Sequence, residues 1–394
     1  MRRVSRKAEQ MPPFLVMEVL ERAGELERAG ESIVHLEIGE PDFDTPEVVR
    51  EAGIKALRDG HTHYTHSLGR IELREAIAAW TRRRYGLEVS PERVVVTLGS
   101  SGAMLMTYAA ILEPGDRVLM TDPCYACYPN FVSACNAESV RLPVREQDGF
   151  QFSPDDVRKE VGRGASALLL NSPANPTGIV TSPERMREIA EETRGRVQLI
   201  SDEIYHGLTY GEQARSALEL DPDAVVVSGF SKLFAMTGWR LGWAILPAHL
   251  VRPVQKLQQN LMISAPDYAQ LAGVVALEEA DDDIERMRRC YDERRRLVLD
   301  RLAEMGLEVL VEPTGAFYVF FNVSRYTGDV YSFAFRLLEE AGVALTPGVD
   351  FGPHGEGFLR LSYANSLENL AEGMDRLQRF LASVDRVASR PAPA

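Results

Sequence analysis

The chain has 394 residues, with 44 Lys and Arg against 58 Asp and Glu, so its formal net charge is −14. That length exceeds what one hydrophobic core usually serves, which predicts two domains; 45% apolar and 26% charged residues exclude wholesale disorder and fibrous repeats. The acidic balance argues against nucleic acid or an anionic membrane surface as the main partner, yet leaves room for a small anion held by a local cluster of donors.

At the start of the chain, a basic segment (residues 1–7) precedes a short apolar stretch (12–17) that Glu18 and Glu21 interrupt, unlike a secretory signal. No apolar run approaches the roughly 20 residues that cross a bilayer, and a cytoplasmic protein is expected. Hydroxyl residues followed by proline, Thr45-Pro46, Ser90-Pro91, Ser153-Pro154 and Ser182-Pro183, mark helix starts. Apolar runs at 93–97, 117–121, 139–144, 165–171, 197–202, 224–228 and 242–246 read as strands, several of them continuously apolar. Such runs fit an α/β fold whose largely parallel sheet is covered on both faces. From residue 284 the texture changes to a long charged helix, then strands at 316–323 and 357–362 alternating with helices, as in a smaller α+β domain joined by the stretch before Thr45. The tail 389–394, rich in Pro and Ala, is expected to be disordered.

Four of these strands end in chemistry-bearing residues. After the first comes Leu98-Gly99-Ser100-Ser101-Gly102, small residues opening a helix, where free N–H groups favour an anion. It matches neither the dinucleotide nor the Walker pattern, and a role in helix–strand packing alone also fits it. Asn171-Ser172-Pro173-Ala174-Asn175-Pro176 follows another strand, with Asn175 a donor to a ligand oxygen or part of an Asx turn. Asp202 ends the next, in Ser201-Asp202-Glu203-Ile204-Tyr205, where a buried carboxylate wants a cation: a structural Arg, or the protonated nitrogen of a heterocycle.

The fourth is Ser228-Gly229-Phe230-Ser231-Lys232, with Arg240 eight residues on. A lysine directly after an apolar strand either reaches solvent or has its charge used or removed, the second being the state that Schiff-base chemistry needs. Lys232 is one of only five lysines, with Lys7, Lys55, Lys159 and Lys256; a coding preference for Arg accounts for that scarcity. Cys124 and Cys127 form a C-x-x-C pair without a second pair at zinc spacing, and His61, His63 and His66 cluster, but packed thiols and no metal site are expected.

Together, and in this order, the motifs from Ile38-Gly39-Glu40-Pro41 to Arg360-Leu361-Ser362-Tyr363 resemble the fold-type I pyridoxal-phosphate enzymes, specifically the class I/II aminotransferases of aspartate aminotransferase type. The resemblance implies pyridoxal 5'-phosphate as cofactor, a mostly parallel seven-stranded sheet, a large domain over 46–285, and a small domain from 286–394 with part of the arm 1–45. It implies Lys232 as the residue bonded to the cofactor aldehyde, Asp202 as partner of the pyridine nitrogen, and Tyr205 and Asn175 as donors to its phenolic oxygen. Ser100, Ser101 and Arg240 match phosphate-binding positions, and Tyr125 matches the aromatic stacked on the ring. Arg360 matches the arginine gripping the substrate α-carboxylate, with Gly39 beside it. Tyr64 matches a tyrosine reaching the phosphate of a neighbouring subunit, so a homodimer with active sites at its interface is expected. Gly229 departs from the family, many members of which have a phosphate-binding serine there.

The activity implied is transfer of the amino group of an L-amino acid to a 2-oxo acid. No cation stands at Ser101, where one branch of acid-specific relatives carries it, which favours neutral or aromatic donors. Three alternatives share the same residues: aspartate as donor, a lyase or cyclase of amino-acid metabolism, and a non-catalytic pyridoxal-phosphate-binding protein. Cys124, Cys127, His66 and Tyr64 are further candidates for the pocket lining.

Overall fold

A computed structural model describes residues 4–307 and 309–384; the tail at 389–394 lies outside them. Among these residues twelve strands follow in chain order: β1 (Val34–His35), β2 (Val94–Leu98), β3 (Arg117–Asp122), β4 (Glu138–Pro143), β5 (Ala167–Asn171), β6 (Gln198–Asp202), β7 (Val225–Gly229), β8 (Leu241–Ile245), β9 (Tyr318–Asn322), β10 (Val343–Ala344), β11 (Thr346–Pro347) and β12 (Phe358–Ser362). Seven form one sheet in the order β2-β8-β7-β6-β5-β3-β4, parallel throughout except for the antiparallel β8. The predicted strands lie within two residues of these positions.

Both faces of this sheet are buried, which is why its strands read as unbroken apolar runs. Val94 and Val96 join one apolar cluster and Val95 the other; Leu168 and Leu170 likewise oppose Ala167 and Leu169. Helices start as the hydroxyl–proline pairs predict at Ser153 and Ser182, whose side chains accept from Asp156 and Arg185 N–H. Thr45 differs. Pro46 is extended, the helix starts at Glu47 without a side-chain cap, and the Thr45 hydroxyl instead donates to Ala235 O at 2.6 Å. Ser90-Pro91 opens a single 3₁₀ turn, Pro91–Arg93, that leads into β2.

The smaller part holds an antiparallel sheet, β11-β12-β9, and the parallel pair β1-β10. The helix Leu15–Arg28 buries Val19 and Ala23 against Leu338 and Ala344, so the start of the chain packs on its last third. The carboxyl ends of β2, β5, β6 and β7 therefore face an opening whose far wall comes from the two ends of the chain.

Candidate active site

That opening is a cavity of about 340 Å³, lined by Gly39, Ser100, Ser101, Tyr125, Asn175, Asp202, Tyr205, Lys232, Arg240 and Arg360, residues spread over 322 positions of sequence. Ten of the eleven residues singled out by sequence are brought together here. Tyr64 is not: its side chain is 80% exposed, in a separate groove with His63 and Tyr268. Cys124 is buried and Cys127 half-buried, His66 Nδ1 accepts the Leu68 N–H at 3.3 Å, and none of the three lines the cavity.

Parallel β6 delivers Asp202 to the cavity floor, 5% exposed, where burial pushes its carboxyl up to about 6. Two donors work against that rise: the Tyr128 hydroxyl at 2.7 Å and the Ile204 N–H at 3.1 Å. Neither is a cation. The Lys232 charge also opposes the rise, as the smallest cause; a buried carboxylate hydrogen-bonded only by neutral donors is the environment in which a protonated ring nitrogen finds its counter-charge.

Lys232 follows β7. Burial lowers its amine to about 8, Glu40 acting against this and Arg360 and Arg240 adding to it. Its Nζ donates to Gly39 O at 2.5 Å and lies 5.9 Å from the Phe317 ring centre. The amine thus spans from the large sheet to the loop after β1 and gives up its proton more readily than an exposed lysine does.

At the other end, Gly99 adopts φ +69° at the start of the helix Gly99–Ile111, so the chain turns from β2 directly into free helical N–H groups. A Cβ at Gly242 would overlap the Gly99 backbone and meet Ser100 N at 2.6 Å; one at Gly99 would lie 2.8 Å from Arg240 Nη2. Glycines at both positions let the strand, the turn and the guanidinium close into one anion cradle with the Ser100 and Ser101 hydroxyls. Gly229 does not belong to it. A Cβ there would sit 3.1 Å from Gly242 Cα and Leu241 O, so the departure from the family serine answers to tight β7–β8 packing.

Arg360, from β12, is 2% exposed and held between two rings, Tyr318 at 4.6 Å and Phe351 at 4.9 Å. Its Nη1 donates to Asn175 Oδ1 at 3.0 Å, and Nη2 donates to Glu37 O and to Thr346 Oγ1. Its Nε is buried without an acceptor. A guanidinium with an unmet donor in an apolar slot is a receptor for a carboxylate.

Much of the remaining wall is apolar, Phe14, Val16, Met17, Leu20 and Ile38, with Glu40 and Thr237 at its polar side. Most of it is the helix Leu15–Arg28, whose N-cap, Phe14, offers no side-chain acceptor. Asp350 supplies one from across the chain, accepting the Leu15 N–H at 2.9 Å and the Val16 N–H at 3.4 Å. Asp350, Tyr128, Thr346, Phe351 and Tyr318 were missed by sequence reasoning. Only Tyr318 left a trace, as a tyrosine within an otherwise apolar strand, whose hydroxyl needs a partner.

The donor set fits pyridoxal phosphate: an amine for its aldehyde, a lone buried carboxylate for its ring nitrogen and a cradle for its phosphate. Comparison with known proteins agrees. The model of the family "aminotransferase class I and II" matches residues 31–377. A (5-formylfuran-3-yl)methyl phosphate transaminase of Methanocaldococcus jannaschii is 41% identical over 383 residues, covering 96% of this chain and 99% of that protein. A valine–pyruvate aminotransferase of Mycobacterium tuberculosis is 41% identical over 378 residues, 95% of this chain and 97% of that protein. The solved structure of aspartate aminotransferase from Thermus thermophilus with maleate superposes with a TM-score of 0.92 at 40% identity, covering 96% of this chain and all of that one. The chain belongs to the class I and II aminotransferases, pyridoxal-phosphate-dependent enzymes that move an amino group from an amino acid to a 2-oxo acid.

Proposed function

We propose that this aminotransferase takes neutral or aromatic L-amino acids as donors. One observation carries the reading: among the described residues the only cations lining the cavity are Lys232, Arg240 and Arg360, and the wall left for a substrate side chain is chiefly Phe14, Val16, Met17, Leu20 and Ile38, with the acidic Glu40 as its charged member. A distal carboxylate placed there would lose its water without gaining a partner. Aspartate, the substrate named for several relatives, is the competing reading.

Bound pyridoxal phosphate supplies an aldehyde that condenses with amines and a protonated ring that draws electrons from the substrate Cα. In this reading Asp202 holds the proton on the ring nitrogen, Tyr205 and Asn175 donate to the phenolic oxygen, and Tyr125 covers the ring. The Ser100 and Ser101 hydroxyls, the helix N–H groups and Arg240 hold the phosphate. Arg360 grips the α-carboxylate beside Gly39. The Lys232 amine, its pKa lowered to about 8 chiefly by burial, removes the Cα proton at Nζ and later returns it.

The test is a single-turnover panel of Phe, Leu, Val and Asp, with the oxo acids identified. The expected result is a kcat/KM for the best apolar donor about a hundredfold above that for aspartate, the scale of an unpaired carboxylate moved into an apolar wall. Aspartate equal or better refutes the donor reading; ammonia and pyruvate from a cysteine-type substrate refute transamination in favour of elimination.

The same proposal includes a cytoplasmic homodimer, with residues 46–285 and 286–394 as its large and small domains. Exposed Tyr64 and Met11, together with exposed Met17 and Ile38 at the cavity, support a second subunit, and four unpaired thiols suit a reducing compartment. A fully active monomer in sedimentation overturns the dimer.

A further inference from the structure

Tyr318 stands on β9, 1% exposed, with its hydroxyl 2.8 Å from that of Tyr205. Its ring lies under Arg360, 4.6 Å from the guanidinium carbon. Its hydroxyl also occupies the space a Cβ at Gly39 would take, directly beneath the loop whose carbonyl receives the Lys232 amine. One side chain therefore touches the residues proposed for the phenolic oxygen, for the substrate carboxylate and for the roof of the cavity.

A tyrosine hydroxyl has one proton. If Tyr205 donates it to the phenolic oxygen of the cofactor, Tyr205 cannot also donate to Tyr318, and the short contact between the two oxygens requires Tyr318 to be the donor. We infer that Tyr318 is a positioning residue: its hydroxyl donates to Tyr205, aims the single Tyr205 proton at the cofactor and makes Tyr205 a stronger donor, as linked hydrogen bonds polarise one another. The inference rests on the role proposed for Tyr205. The charged and titratable groups facing this pair are Arg360, Lys232, Asp202, Glu40, Tyr125 and Tyr128, all of which the substitutions below leave in place.

The test uses the cofactor-loaded, substrate-free enzyme and titrates the visible band of the Lys232-linked cofactor between pH 5 and 10. A donor to the phenolic oxygen favours the more negative, deprotonated state and so lowers the apparent pKa. Tyr205→Phe is expected to raise it by about one to two units, the scale of a lost hydrogen bond to a charged group. Tyr318→Phe keeps the ring under Arg360 and is expected to raise it by about half a unit, a roughly threefold change in proton affinity. In the Tyr205→Phe background the second substitution is expected to add nothing. Incorporation of 3-fluorotyrosine at position 318, a stronger donor of nearly the same shape, is expected to move the pKa the other way.

An unmoved pKa in Tyr318→Phe beside a shifted Tyr205→Phe overturns this inference alone. So does an equal shift in both backgrounds, which would mark packing rather than a relay. An unmoved pKa in Tyr205→Phe overturns the role of Tyr205 on which the inference depends. If Tyr318→Phe fails to load cofactor, the fluorotyrosine protein decides: a pKa unchanged or raised there is also a refutation.

Discussion

Asp202→Asn is expected to stabilise the cofactor-free protein while weakening its hold on the cofactor. In the fold the carboxyl sits at about 6 against a reference of 3.8, because burial outweighs the Tyr128 and Ile204 hydrogen bonds. The folded pKa is raised, so the fold favours the protonated acid. That favourable contribution is complete only well below the unfolded value of 3.8 and is lost as the pH rises through 6. A shift of about two units corresponds to about 3 kcal/mol at pH 7. Asparagine carries no such charge and can keep both contacts, its Oδ1 accepting from Ile204 N and its Nδ2 donating to the Tyr128 oxygen. Urea unfolding of the cofactor-free proteins at pH 4 and pH 7 isolates the effect, since every other titrating group is common to both. The stability difference, variant minus parent, is expected to move in favour of the variant by about 2 kcal/mol between the two pH values, since at pH 4 the unfolded carboxyl is already partly ionised. With pyridoxal phosphate added at pH 7 the order reverses, because only the parent offers a counter-charge to the ring nitrogen. Parallel stability curves for the two proteins across this window would refute the claim that an ionised Asp202 burdens the empty fold.

Two more substitutions probe the same cavity. Lys232→Ala is expected to abolish the borohydride-fixable cofactor linkage, read by mass spectrometry of the reduced protein; persistence of the linkage places it on another amine. Gly39→Ala puts a Cβ into the Tyr318 hydroxyl, and is expected to raise KM for the amino donor at least tenfold while the melting temperature moves by no more than a few degrees, because residue 39 lies in a half-exposed loop. An unchanged KM would show that the loop simply yields.

The strands and their order of chemistry were legible because each is a short apolar run bounded by turn residues, and in a parallel sheet all such runs deliver their last residues to one edge. Asn171 and Asp202 pair across β5 and β6 in the sheet register, so reading two strand ends was enough to place two site segments side by side. The partners of those residues were not legible. Tyr128 reaches Asp202 across 74 positions and Tyr318 reaches Tyr205 across 113, and no local spacing encodes either contact. Thr45 shows the opposite failure: its local signal for a helix cap is sound, but Ala235 O and the Trp239 indole N–H, brought near by the fold, satisfy its hydroxyl instead. Asp350 combines both, capping a helix that begins 335 positions earlier.

The net charge of −14 gave no guide to the ligands, and the site shows why. Exposed charges are screened within about 8 Å at physiological ionic strength, whereas Arg360 is buried, where its field on nearby groups such as Lys232 and Asp350 is screened far less, and it is held by the Tyr318 and Phe351 rings and the Asn175, Thr346 and Glu37 oxygens. Lys232 lies between that arginine and Arg240, each lowering its amine, yet burial is the larger cause and Glu40 and Asp202 oppose them. Anions held at both arginines would remove only the smaller contributions. The base is thus set chiefly by where β7 ends, and the arginines are left to select what it acts on.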